Sequence, residues 1–138
     1  MSISEIYIYL HNTNTGFMKK YYLLFTAILF ANTIGAQIIN FPDADFKAVL
    51  LSATTSNQIA SIATPTANAS VTTFNKIDTN DDGDIEVSEA LAIKWLMINN
   101  SSITDLTGLS AFGNLVALNF AGNNVSTVDL SNLTNLKF

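Results

Sequence analysis

The chain has 138 residues, no Cys and a single His, His11, which excludes a disulfide framework, a thiolate metal site and a cysteine nucleophile, and leaves histidine-based triads or zinc sites only one residue near the N-terminus. From residue 37 onward four Lys and no Arg stand against ten Asp plus Glu, a net charge of −6, which argues against nucleic acid or an anionic membrane surface as partner. Six of those ten carboxylates fall within residues 78–89, so the acid is concentrated in one place.

The N-terminal region reads as an address. Met18, Lys19 and Lys20 make a short basic start, residues 21–31 are apolar, and residues 32–36 are polar and small before Gln37. That order predicts a secretory signal peptide over 18–36, cut after Ala36, with residues 1–17 an extra leader ahead of the true start at Met18. The eleven apolar residues fall short of the roughly twenty that a bilayer core requires, so no membrane span is expected in the mature chain. The expected location is secreted or at a bacterial cell surface.

Next, Phe41, Pro42 and Asp43 form a helix entrance. Asp43 is the expected N-cap, Asp45 suits the positive end of the helix dipole, and Phe46, Val49 and Leu50 recur at helical spacing, which predicts a short helix ending near Ser52. Residues 53–70 are rich in Ala, Ser and Thr and contain Pro65; they are expected to be irregular, tethered by Ile59 and Ile62.

Residues 78–89 carry the strongest motif. Asp78, Asn80 and Asp82 occupy positions 1, 3 and 5, Gly83 position 6, Glu86 position 9 and Glu89 position 12, which satisfies every fixed position of the EF-hand calcium loop. Ca2+ is a hard ion that takes six to eight oxygens. Side-chain oxygens of Asp78, Asn80 and Asp82 would face it, the Asp84 carbonyl would supply position 7, Glu86 would bind directly or through water, and Glu89 would close the shell with both oxygens. Gly83 permits the turn, and Ile85 is expected to point into the core. The alternative is an acidic solvated turn, which would have to hold six carboxylates together against their mutual repulsion. On the exit side Val87, Leu91 and Trp95 predict a helix to about Ile93, and on the entry side Phe74 and Ile77 offer only a short or strained one. A second loop is missing, which points to a structural ion and not a paired-loop sensor.

A repeat follows. Ile93, Leu96, Ile98, Ser101 and Ile103 match Leu115, Leu118, Phe120, Asn123 and Val125 at an offset of 22 residues, and Leu136 begins a third copy. Leu96, Ile98, Leu118 and Phe120 are expected to point inward from parallel strands, Asn123 to bond the turn backbone, and Leu106, Leu109, Leu130 and Leu133 to fill the return side. The incomplete third copy predicts a fragment with an open edge.

The segments Ile103-Thr104-Asp105-Leu106-Thr107-Gly108-Leu109 and Asn132-Leu133-Thr134-Asn135-Leu136 resemble internalin-like and related secreted bacterial leucine-rich-repeat proteins. The resemblance covers roughly residues 37–138, including the order of a small helical cap before repeats. It implies an α/β solenoid, with a short helical N-terminal cap carrying the EF-hand-like loop (37–91) followed by a truncated leucine-rich-repeat parallel sheet (92–138). It also implies a binding or adhesion role through a concave face, with a protein or a cell-surface glycan as ligand and no catalysis. Matched onto that repeat, the concave positions are Trp95, Met97, Ala117, Asn119 and Ala121. Packing on the cap is the competing expectation for Trp95 and Met97. The alternative function is an N-terminal accessory part of a larger secreted enzyme such as a carbohydrate hydrolase.

Overall fold

In the computed structural model, residues 37–138 are described; the expected leader over 1–17 and the expected signal peptide over 18–36 lie outside them. Helix α1 spans Ala44–Leu51 and begins as its sequence dictates, with the Asp43 carboxylate accepting from the Phe46 amide at 2.9 Å. Phe46 and Leu50 are fully buried on its inner face, each worth about 1.5–3 kcal/mol of transfer free energy, and Phe41 meets Phe46 edge to face with ring centres 5.2 Å apart.

Strand β1 is Ala60–Ser61, inside the stretch expected to be irregular. It pairs antiparallel with β2, Trp95–Met97, matching Ala60 to Leu96 and Ser61 to Trp95. Ala60 and Ser61 are fully buried whereas Ile62 is half exposed, so the tether is made by Ile59, which packs on the core as expected, and by β1 itself in place of Ile62. No entry helix forms before the acidic loop; Asn75 instead donates its amide to the Ala60 carbonyl and accepts from the Ile62 amide, while Ile77 is buried. Helix α2, Val87–Ala92, follows the loop, but its buried residues are Glu89 and Ala90, and Leu91 is exposed. The expected face through Val87, Leu91 and Trp95 fails because the helix stops at Ala92 and Trp95 belongs to β2.

Strand β3, Ala117–Asn119, lies parallel to β2, with Trp95 opposite Ala117 and Leu96 opposite Leu118. The 22-residue sequence offset is therefore the strand register. Between them a 3-10 turn at Leu109–Ala111 carries the chain back, with Leu109, Phe112 and Leu115 buried beneath it. Gly108 precedes this turn at φ +101°, and a side chain there would collide with the Phe41 ring.

The architecture corrects the expected α/β solenoid. The described residues build two short α-helices and a three-stranded mixed sheet in the order β1-β2-β3, not a stack of parallel repeats. Two causes are visible. One edge of β2 is taken by an antiparallel strand from the helical part, and beyond β3 the described residues add no further strand: Leu136 packs against the core, Lys137 and Phe138 donate to the Val116 carbonyl, and Leu118 donates to the Phe138 carbonyl. A repeat unit buries its apolar face only against like neighbours, so two parallel strands make a sheet and not a solenoid. One core, running from Phe46 and Ile85 through Leu96 and Ile98 to Leu115 and Leu133, unites the segments before and after residue 92. Among the described residues no helix is long and apolar enough to cross a membrane.

Candidate metal loop

Residues 78–89 are positioned from both ends. Ile85 is fully buried, and its carbonyl accepts from the Ile39 amide at 2.9 Å while the Val87 amide donates to the Gln37 carbonyl at 2.9 Å, so the strap at 37–39 bridges the back of the loop. Inside the loop, short side chains fold back on the main chain. Asp78 accepts from the Asp81 amide at 2.7 Å and the Gly83 amide at 3.1 Å, Asn80 from Asp82 at 3.1 Å, and Asp82 from Asp84 at 2.9 Å. These bonds wind the backbone, and two residues adopt positive φ to allow it: Asp81 at 64°, where an Asp is tolerated, and Gly83 at 83°.

The lysines sort the carboxylates. Lys47 binds Asp84 Oδ1 at 2.7 Å, and Lys76 binds Asp81. Asp84 would serve an ion through its carbonyl and Asp81 occupies a non-liganding position, so both cations neutralise side chains that the motif does not need. No lysine pairs with Asp78, Asp82, Glu86 or Glu89 among the described residues.

Glu86 and Glu89 meet at the loop's end, both almost fully buried. Glu89 Oε1 accepts from the Thr79 amide at 2.6 Å and the Thr79 hydroxyl at 2.7 Å, and Oε2 from the Glu86 amide at 3.2 Å. Although burial opposes its ionisation, the hydrogen bonds from Thr79 and the sharing with Glu86 hold Glu89 below the usual carboxylate range. Glu86 is the reverse: hydrogen bonding with the Glu89 carboxylate, burial and the charges of Glu89 and Asp82 push it up to about 6. Two acids thus share one region with their affinities for a proton driven apart, as expected of carboxylates that lack a counter-ion.

The donor set fits a hard cation in chemistry and in chain order: carboxylate, amide and backbone oxygens, with no nitrogen or sulfur ligand required. It is not gathered into a preformed cage. Among the described residues no three His, Cys, Asp or Glu side chains form a metal-holding group. The Asn80 amide nitrogen reaches toward Asp82 Oδ2 at 2.9 Å and Glu86 Oε1 at 3.4 Å, so a donor sits among the negative oxygens. Occupation by an ion would require that amide to turn and the carboxylates to contract.

All six residues expected from the motif, Asp78, Asn80, Asp82, Asp84, Glu86 and Glu89, fall in this one loop. Three participants escaped the motif: Thr79, Lys47 and the strap at 37–39. Thr79 stands at a variable position, and the others are 37 or more residues from their partners, beyond any local pattern.

Elsewhere, Asn123 behaves as its repeat position suggests, accepting from the Ser101 and Ile103 amides at 2.9 and 3.1 Å and donating to the Ile98 and Phe120 carbonyls at 2.8 Å. Trp95 is buried; its indole donates to the Ala69 carbonyl at 2.7 Å and its ring lies 5.8 Å from Phe74. It packs beneath residues 69–74 and does not present a free contact. Ala117 is buried as well, which leaves Asn119 and Ala121 exposed among the five positions assigned to a binding face. No family model matches this chain, and no curated protein matches it significantly.

Proposed function

We propose that this protein is an exported calcium-binding module in which the ion is structural and whose role is to bind a protein or surface glycan, not to catalyse a reaction. The observation that carries the reading is the division of labour in residues 78–89: both lysine partners go to the side chains that the motif leaves free, and the five side chains it requires are left to an added cation. Export is supported by the basic, apolar and small-polar order of residues 18–36. A binding role is supported by the resemblance to secreted leucine-rich-repeat proteins and by a composition without Cys and with His11 as its sole His.

Calorimetric titration of the processed protein with calcium tests the site. A saturable heat with one equivalent of ion and a dissociation constant of about 10⁻⁴ to 10⁻³ M is expected of an extracellular module. Absence of calcium heat would reduce the loop to an acidic turn. Mass spectrometry of exported material tests the rest, since a mature N-terminus at or near Gln37 is expected and an intact Met1 end would refute export by this route.

A further inference from the structure

We propose that residues 62–74 form a flap that closes over the Trp95 end of the sheet and lifts without unfolding the rest, so that the face assigned to binding is shut in the free protein. This rests on the reading of that face as a binding surface. On it Trp95 and Met97 of β2 stand in register beside Ala117 and Asn119 of β3, with Ser61 of β1 on the other side of Trp95. Ser61 and Ala117 are too small to cover an indole, yet Trp95 is only 6% exposed. The flap supplies the cover. The Ala69 carbonyl accepts from the indole N–H at 2.7 Å, and the Phe74 ring lies 5.8 Å from the Trp95 ring.

The flap is pinched at its base and lightly held at its tip. Asn75 closes the base, its amide donating to the Ala60 carbonyl at 2.8 Å and its side chain accepting from the Ile62 amide at 3.1 Å. Surface loops with their ends tied together in this way frequently carry function. No residue of 62–74 joins the hydrophobic core, and Pro65 alone among them is buried. Among the described residues the tip is joined to the body by the indole bond, by the Phe74 contact and by a 3.3 Å bond from Lys94 Nζ to Thr64 Oγ1. The indole bond is made under strain, because Ala69 sits at φ 56°, a left-handed conformation that suits Gly or Asn and disfavours Ala. A segment with so few apolar contacts and a strained closure opens at a lower free energy than the core beneath it. Lifting it uncovers Trp95 next to the half-buried Met97 and the exposed Asn119.

Trp95 is the sole Trp of the chain, so its indole proton and its fluorescence both report this one contact. The test follows hydrogen exchange of that proton in the protein and in Ala69→Gly, and acrylamide quenching in the protein and in Ala69→Val. The indole proton should exchange ahead of the Met97 amide, which donates to the Ile59 carbonyl. Its rate should be indifferent to low urea, because lifting the flap exposes little surface compared with unfolding. Ala69→Gly relieves the left-handed strain and should slow indole exchange by about fivefold. Ala69→Val sharpens the strain and should raise quenching of Trp95 while the Met97 amide stays protected. An indole proton that exchanges only together with Met97, with the same dependence on urea, would overturn the flap, and so would a rate unchanged in Ala69→Gly. Exchange in the parent decides the matter even if the valine variant fails to fold. Since neither calcium nor a partner is added, a rigid flap would leave the calcium reading standing, and a protein without calcium heat would leave the flap standing.

Discussion

Glu89 does two jobs that a substitution would separate. It is the expected closing ligand, and it also satisfies the Thr79 amide and hydroxyl and the Glu86 amide. Glu89→Ala should therefore destabilise the protein even in chelator, by about 1–3 kcal/mol for buried donors left unpaired, and should abolish the calcium response as well. Asp81→Asn is the contrast. Asp81 is exposed, pairs only with Lys76, and sits at positive φ where Asn is at ease, so urea unfolding should detect a change within about 0.5 kcal/mol. Glu86 adds a pH dependence. Its affinity for a proton is raised to about 6 in the folded chain, above its unfolded value, so without calcium this residue favours the fold at low pH and loses that contribution as pH rises through 6. A calcium ion bound through Glu86, as proposed, would have to displace the same proton. Affinity should accordingly fall as pH drops below 6, with proton release on binding near that pH, and titration in two buffers of different ionisation heat would measure it.

At the level of elements, Asp43 shows how much the sequence disclosed and where it stopped. Its capping of α1 was legible because the signal is local: an acidic residue three positions before Phe46. Its other oxygen, however, accepts from the Thr104 amide and hydroxyl at 2.8 Å and the Asp105 amide at 3.0 Å, a junction between α1 and the turn after β2 across 61 residues. The Phe46 and Thr104 donors hold the Asp43 carboxyl well below the usual carboxylate range, so its contribution is present at neutral pH and lost on strong acidification. Asp43→Ala should cost about 1 kcal/mol for the cap alone and more for the broken junction, and Asp43→Asn should recover part of it. Thr104→Val removes the hydroxyl bond of the junction and leaves the cap in place, so a stability equal to the parent's would show that this bond contributes nothing. The turns of the acidic loop and the existence of α2, though not its buried face, were readable for the same local reason, whereas the Asn123 turn was readable from the repeat, its bonds to Ser101, Ile103 and Ile98 spanning 22, 20 and 25 residues. Strand β1 was not, because Ala60 and Ser61 have little strand preference of their own and become a strand only through Leu96 and Trp95. The solenoid expectation failed on that same edge: a periodic pattern predicted the partner on one side of β2 correctly and carried no information about the other.

Across the whole molecule the acidic loop is tied to every layer it borders. Ile85 anchors it in the core, the strap at 37–39 bonds its back, and Lys47 on α1 reaches Asp84. An ion that contracts the loop would draw on all three, so its effect should register far from the carboxylates. At ~1 mM calcium, dissociation constants of about 10⁻⁴ to 10⁻³ M give RT ln(1 + [L]/Kd) of roughly 0.4 to 1.4 kcal/mol. In a folded unit of this size that corresponds to a rise in melting temperature of roughly 2–8 °C. The rise should be smaller at pH 5 than at pH 7.5, because Glu86 then competes through its proton. Hydrogen exchange gives the spatial test. Protection of the Ile39 and Val87 amides should increase on adding calcium, while that of Leu118, bonded to the Phe138 carbonyl at the opposite sheet edge, should follow only the global stability. A melting temperature indifferent to chelator, with Ile39 and Val87 exchanging as before, would mean that residues 78–89 are wound by their own hydrogen bonds and need no ion.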